Sequence, residues 1–487
     1  MAWSRGDIFL DRGVRERGFC TTSVRLWWPE RDRGEVAAEG DSYQQAGPKG
    51  DEWASAFESA IHGGARQSRR HEVPRRIHIL GVGNVGLFLA HSLAGIPNRP
   101  PITLLSHRKG SQRSWKEAGE RIKVVTDGSS QSRHGFDLEY VPPMPSMSSG
   151  TLNHEDASFN QHSGSLQESI SSDLVENIAP EGTAEDRTYE TQPPLTQGDD
   201  GIIWNLVVSV KVSTTIQALS KVAHRLCRDS SILFLQNGMG MLDEVNEKLF
   251  PDVETRPNYI VGVISHGVKR LEHYAVEHAG FGTIAIGILP RKPAESFQFP
   301  NSARYLLRTL TRTPILAAVP FPPTDLLQQQ LDKLAVNCII NPLTAIFDCT
   351  NGELLNQFSV TRIMRLLLAE VSLVIRSLPE LDGVPNKNLR YDPQRLEAMV
   401  VVVATRTAKN VSSMLQDVRQ HTKTEIDYIN GYVVRRGEEM GIKCVLNYML
   451  LQMVKARGNM VQQRDEDKLP LGLQDSLVTH SKVTKGK

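Results

Sequence analysis

One lysine and two asparagines, Lys333, Asn337 and Asn341, recur at i, i+4 and i+8, so a helix would carry them on one face. Leu331, Leu334, Ala335, Cys338 and Ile339 supply the apolar remainder of that helix. A polar stripe is ordinarily solvated surface. This one holds a single charge, two asparagines and no carboxylate, and asparagine is a poor helix former, which points to a hydrogen-bonding task. A lysine set this way suits carbonyl reduction. Hydride attack builds negative charge on oxygen, and a nearby ammonium stabilises it and donates the proton. Partial burial would bring the lysine pKa down toward the working range. Pro342 follows at once and is expected to kink or break the helix.

Far upstream lies a second chemical signature, Gly81-Val82-Gly83-Asn84-Val85-Gly86. It follows the short apolar run Ile77 to Leu80 and precedes the helix-like Leu87 to Leu93 and a second apolar strand, Ile102 to Leu105. In that context the glycines read as a dinucleotide loop. The first allows the tight turn, the second lets backbone approach a pyrophosphate, and the third lets helix and strand pack closely. The helix N-terminus then offers N–H groups to the phosphates. A site for NAD would place an acid after the second strand. Here Ser106-His107-Arg108-Lys109 stands there, so NADPH is expected, with Arg108 or Lys109 holding the 2′-phosphate; two ordinary surface cations are the alternative.

Ligands of open α/β sheets sit at the carboxyl ends of strands. Lys211 follows the strand expected at Trp204 to Val210, and Asn237 follows Ser231 to Leu235, with Gly238-Met239-Gly240 next. Each is a ligand candidate or a plain loop residue. His266, after Tyr259 to Ser265, reads as structural. Thr422-Lys423-Thr424-Glu425 has the form of a capping box opening a helix that carries Ile426, Ile429 and Val433, so Glu425 could simply cap.

These residues need elements to position them. The chain of 487 residues is 40% hydrophobic, enough for two or three domains with real cores. The expected fold is an α/β N-terminal Rossmann domain with a mostly parallel sheet, residues 73–322, followed by an all-α domain, residues 323–458. Further helices are expected at Thr214 to Cys227, Asp243 to Leu249, Asp325 to Ile346, Val360 to Leu378, Pro393 to Ala408 and Glu425 to Met440, and a strand at Thr283 to Gly287. Asn410 to Thr422, with Ser413, Gln416 and Asp417, reads as polar and turn-rich. Residues 1–72 read as an extension and 459–487 as a tail. Residues from about 127 to 200 are rich in Ser, Gly, Pro, Gln and Asp apart from one strand-like piece at Phe136 to Val141, and a disordered insertion is expected over about 142–200.

The net charge of +1 gives no reason to invoke nucleic acid or an anionic membrane. No apolar run reaches the ~18–20 residues of a membrane span. Five scattered cysteines without a C-x-x-C pair suggest neither disulfides nor a metal site. The N-terminus is arginine-rich, and Arg17 to Ser23 has the look of a mitochondrial processing site, yet Asp7, Asp11 and Glu16 oppose that; the cytoplasm is the expected compartment and mitochondrial import the alternative.

From about Ile77 to Arg457, the insertion excepted, the chain resembles the ketopantoate reductase (2-dehydropantoate 2-reductase) family. The resemblance rests on Gln236 to Gly240, Lys333 to Ala345, and Ser412 to Asp417 through Thr424 to Gly431. It implies that Lys333 is the proton donor, and that Asn337, Asn341 and Asn351 contact substrate. It further implies that Asn237 is shared by cofactor and substrate, that Lys211 is a cofactor residue, that Ser413 and Asn410 are substrate residues, and that Glu425 stands near both ligands. The substrate would be a small 2-oxo acid and the protein a monomer or homodimer. A reductase of another 2-oxo acid, or a non-catalytic mitochondrial regulatory or RNA-associated member, are the alternatives.

Overall fold

The computed structural model describes residues 74–108, 110–141, 201–291 and 300–466. The expectations for residues 1–72, for 142–200 and for Lys109 lie outside the described residues.

The first half is built on an eight-stranded sheet, in the order β12-β11-β8-β7-β6-β1-β2-β5. Its strands are β1 (Ile77–Leu80), β2 (Ile102–Ser106), β5 (Asp137–Tyr140), β6 (Asn205–Val208), β7 (Ser231–Phe234), β8 (Asn258–Ile264), β11 (Ile284–Ile288) and β12 (Ala318–Pro320). All neighbours are parallel except β11 on β8. Strands buried on both faces read as continuous apolar runs, and β1, β6, β7 and β11 are buried along their whole length. The chain runs from β1 outward to β2 on one side and resumes at β6 on the other, so the strand order reverses at β1. That reversal opens the crevice in which such sheets take ligands.

A second, four-stranded sheet has the order β4-β3-β10-β9, from β3 (Arg121–Thr126), β4 (Ser129–His134), β9 (Gly267–Glu272) and β10 (Ala275–Gly280). The compositional shift from about residue 127 therefore does not mark the end of regular structure. Asp127 and Gly128 both have positive φ, 48° and 78°, and close a β3–β4 hairpin. Asp-Gly is the dipeptide that favours such a two-residue turn, and the surrounding serines obscured it.

Helices α1 (Asn84–Leu93), α2 (Ser111–Glu117), α3 (Thr215–Ser220), α4 (Met241–Lys248) and α5 (Asn301–Thr311) belong to this half. The helix expected at Thr214 to Cys227 is broken: 3-10 turns flank α3 at Val212–Thr214 and Ala223–Arg225.

The second half is helical: α6 (Pro323–Phe347), α7 (Phe358–Ser377), α8 (Lys387–Arg390), α9 (Pro393–Arg406), α10 (Ser413–Arg419), α11 (Asn430–Glu439) and α12 (Val445–Glu466). Its core gathers Leu331, Leu334, Ala335, Cys338 and Ile339 with Leu368, Val371, Val400, Val433 and Val454, all buried. Burying such a side chain contributes roughly 1.5–3 kcal/mol. The segment expected to be turns is α10, opened by Ser412, whose hydroxyl accepts from Leu415 N at 3.1 Å. The tail expected from residue 459 is helical to Glu466, as the last turns of α12.

Pro342 neither ends nor interrupts α6. Proline has no N–H for the carbonyl four residues back, which here is Cys338. The Asn430 side chain donates to Cys338 O at 3.0 Å instead, and itself sits fully buried beside Asn447. The tertiary fold thus satisfies the carbonyl that the proline leaves open.

The halves meet where Leu326 of α6 packs on Val261, Val263 and Ala285 of the sheet. Among the described residues no helix is long and apolar enough to cross a membrane.

Candidate active site

The glycine turn forms as its sequence requires. Gly81 has φ +115°, and a Cβ there would lie 2.6 Å from Val210 N. A Cβ on Gly86 would lie 2.0 Å from Gly81 O, so only glycine lets α1 approach the strand. At Gly83 a Cβ would meet nothing nearer than Ser209 O at 3.9 Å, which leaves that backbone open to an approaching ligand. Among the described residues no side chain caps α1, which leaves its first N–H groups open to an anion. Val82 and Val85 pack their side chains on the sheet core, and Asn84 Nδ2 donates to Val268 O at 3.4 Å. Arg108 is exposed just past the end of β2. The arrangement fits a dinucleotide phosphate.

On the other side of the crevice, α6 brings Lys333 to the carboxyl ends of β7 and β8. Lys333 Nζ donates to Asn237 Oδ1 at 2.8 Å and to Ile264 O at 2.6 Å. Asn237 Nδ2 in turn donates to Glu425 Oε2 at 3.0 Å, and Glu425 Oε1 accepts from Val212 N at 3.2 Å. Next to Val212, Lys211 Nζ pairs with Asp417 Oδ2 at 2.8 Å. Charges therefore alternate along one line: Asp417, Lys211, Glu425, then through the Asn237 amide to Lys333. The loop that carries Asn237 is pressed onto the helical half. Met239 N donates to Tyr428 O at 2.8 Å, and a Cβ on Gly238 would lie 2.5 Å from the same oxygen.

Burial removes water from the Lys333 ammonium and lowers its pKa from 10.5 to about 8, against a partial restoring pull from Glu425. Lys211 moves the other way. Burial disfavours its charge, but Glu425 and Asp417 outweigh that and raise it. Burial raises the Asp417 carboxyl, opposed by Lys211. The surroundings of one lysine thus favour its charged form, and the other is poised to give up a proton near pH 8.

Gln236, Asn237, Gly238, Met239, Gly262, Val263, Gln330, Lys333, Leu334 and Asn337 line the small cleft at this point. Its volume is about 20 Å³, room for about one water.

Of the residues expected at the site, Lys333, Asn337, Asn237, Glu425 and Lys211 come together here. The capping role for Glu425 is corrected. Both its oxygens face the Rossmann half, and Ile426–Tyr428 is a 3-10 turn, with α11 starting only at Asn430. Asn341 is buried one turn beyond Asn337 on α6 and is not among the residues lining the cleft. Nearby, Thr344 Oγ1 bonds Ser412 Oγ at 2.7 Å, which sets the exposed Ser413 at the start of α10 against this end of α6. Asn351 and Asn410 form a second pair: Asn351 N donates to Asn410 O at 3.0 Å, and Asn351 Nδ2 to Thr407 Oγ1 at 2.9 Å. The buried Asn351 Oδ1 has no partner among the described residues. His266 is structural, as expected, bonded to His278 Nε2 and Leu316 O, both at 3.0 Å.

Other participants escaped the sequence reading. The Ile264 carbonyl and the Val212 N–H are backbone groups and carry no residue signal. Gln330 stands three residues before Lys333, on the same helix face, and that spacing could have revealed it. Asp417 lay in view but without a partner.

A dinucleotide-type turn facing a helical domain across a lysine-bearing cleft defines a two-domain class of reductase-like folds. Two family models match the chain: "Ketopantoate reductase PanE/ApbA C terminal" over residues 325–458 and "Ketopantoate reductase PanE/ApbA" over residues 166–291. The "Probable 2-dehydropantoate 2-reductase" of Schizosaccharomyces pombe is 29% identical over 390 residues, 78% of this chain and 96% of that protein. The 2-dehydropantoate 2-reductase of Vibrio cholerae is 33% identical over 250 residues, 51% of this chain and 76% of that protein. Among solved structures, the PanE/ApbA family ketopantoate reductase from Ralstonia eutropha JMP134 matches in fold with a TM-score of 0.54 at 18% identity, over 80% of this chain and 99% of that one. A D-mandelate dehydrogenase, solved with NADH and anilino(oxo)acetate, matches with 0.53 at 18% identity and the same coverage. The chain belongs to the ketopantoate reductase family.

Proposed function

We propose that the protein reduces 2-dehydropantoate to (R)-pantoate with NADPH, with Lys333 as the proton donor. The observation that carries this reading is the position of Lys333, desolvated to a pKa of about 8 and held by Asn237 and the Ile264 carbonyl at the sheet edge. The names of the relatives supply the substrate, and the glycine turn with Arg108 supports the cofactor.

NADPH, when bound, supplies the hydride for C2 of the 2-oxo acid. The chain's own groups do the rest. The Lys333 ammonium points its charge at the carbonyl oxygen, where negative charge develops, and gives it a proton. Asn237 accepts one Lys333 hydrogen and so fixes the ammonium's direction. Glu425 holds the Asn237 amide in that orientation and keeps part of the positive charge on Lys333. Asn337, Asn341, Ser413, Asn410 and Asn351 are assigned to the substrate's carboxylate and hydroxyl. The unpartnered Asn351 Oδ1 is an acceptor suited to that hydroxyl. Lys211, fixed by Asp417, contacts the cofactor, and Arg108 takes its 2′-phosphate. The protein would work as a monomer or homodimer.

The test is turnover of the purified chain with 2-dehydropantoate and either NADPH or NADH, followed by loss of nicotinamide absorbance. Faster reaction with NADPH is expected. No turnover with either would remove the enzymatic reading, and faster turnover with NADH would remove the role of Arg108.

A further inference from the structure

The second sheet contributes one cation to the glycine turn. β9 is the edge strand of that sheet and lies against the turn. Asn84 Nδ2 donates to Val268 O at 3.4 Å, and Arg270 Nη2 donates to Val82 O at 2.8 Å. Val82 is the second residue of the glycine motif, so the guanidinium stands where a bound dinucleotide would pass. That one bond uses one of arginine's five N–H donors.

Among the described residues no carboxylate pairs with the Arg270 charge. Among the described residues neither Arg270 nor Arg108 forms an ion pair, whereas Arg76, Arg225, Arg390 and Arg436 each do. Burial, and then the nearby Arg108, make the Arg270 charge costlier than usual. The buried Tyr274, whose hydroxyl donates to Ser111 O at 3.0 Å, feels both arginines as well. Two guanidinium groups without a counter-ion, one of them half-buried, are an unfavourable arrangement that a bound anion relieves. Arg108 marks which anion. It follows β2, the strand end over which the adenosine ribose of a dinucleotide lies. The pyrophosphate has its own partner in the free N–H groups of α1.

We propose that Arg270 is a second ligand of the adenosine 2′-phosphate, clamping it together with Arg108 while anchored to the Val82 carbonyl. This rests on the NADPH reading above. It makes cofactor choice a joint property of two sheets: β2 of the large sheet supplies one arginine and β9 of the small sheet the other.

The experiment is calorimetric titration of the full chain with 2′,5′-ADP and with 5′-AMP, which differ only by the 2′-phosphate. It compares wild type with Arg270→Met, Arg270→Lys and Arg108→Met. Wild type should prefer 2′,5′-ADP. Arg270→Met should weaken 2′,5′-ADP by about tenfold or more while leaving 5′-AMP unchanged, the loss expected for a charge-assisted contact to phosphate. Arg270→Lys should recover part of the loss, since lysine keeps the charge but not the planar fork. Equal weakening of both ligands would mean that Arg270 only braces the turn, and would overturn the proposal, as would no change in either. A wild type without preference would overturn the NADPH reading along with it. A wild-type preference that Arg270→Met leaves intact would overturn only the role of Arg270.

Discussion

The two walls of the cleft are made by different means. The sheet wall acts mainly through backbone: the turn at Gly81, Gly83 and Gly86, the Val212 N–H and the Ile264 carbonyl. The helical wall acts through side chains: Lys333, Asn337, Asp417 and Glu425. Asn237 is the main exception, a sheet-side side chain that joins the two. A backbone wall can be spoiled by adding atoms, and a side-chain wall by removing them. The difference also divides labour. Backbone groups cannot titrate, so they suit a fixed cradle, while side chains whose charge depends on surroundings suit the chemistry.

Removing an atom group from the helical wall should have the largest effect. Lys333→Met should lower kcat by about 10²–10⁴-fold with little change in NADPH affinity, because it deletes the acid and leaves the cradle intact. Steady-state kinetics beside a direct binding titration separates the two; a parallel loss of affinity would erase the distinction between the walls. Adding one carbon to the sheet wall should act in the opposite sense. A Cβ at Gly86 would stand 2.0 Å from Gly81 O. Gly86→Ala should therefore weaken dinucleotide binding strongly and cost about 1–3 kcal/mol of stability through overpacking. Normal NADPH affinity in that variant would show that the turn is not the cradle. A smaller effect is expected behind the helical wall. Asn430→Ala leaves the Cys338 carbonyl unanswered beside Pro342 and should cost about 1–3 kcal/mol in a denaturation experiment. Unchanged stability would mean that α6 tolerates its proline without help.

The same division explains what the sequence disclosed. The Gly81–Gly86 turn was legible because backbone that must bend tightly or approach closely has to be glycine. Lys333 and Asn337 were legible because helical spacing put them on one face. The local pattern around Glu425 fits a cap as well as a ligand residue, and the fold turns its carboxylate away from the helix to Val212 and Asn237. The Ile264 carbonyl could not be read at all, since any residue supplies one. Arg270 was invisible for a related reason. Its strand pairs only with the adjacent β10, both strands are short and polar enough to pass for loop, and the contact that gives Arg270 meaning, with the Val82 carbonyl, spans 188 residues. Pro342 misled because the compensating group, Asn430, lies 92 residues from the carbonyl it serves.

In the proposed mechanism Lys333 is an acid whose strength is set by burial and by Glu425 acting across Asn237. The pH dependence of kcat/KM for 2-oxo acid reduction, measured for wild type and Glu425→Gln, tests it most directly. The lysine must be protonated to donate. With its pKa lowered to about 8, the wild-type rate should hold below that pH and fall above it. The Glu425 carboxylate favours the charged lysine, so its removal should move the fall to lower pH. A wild-type rate that stays level to pH 10, or a Glu425→Gln profile that does not move, would contradict the account.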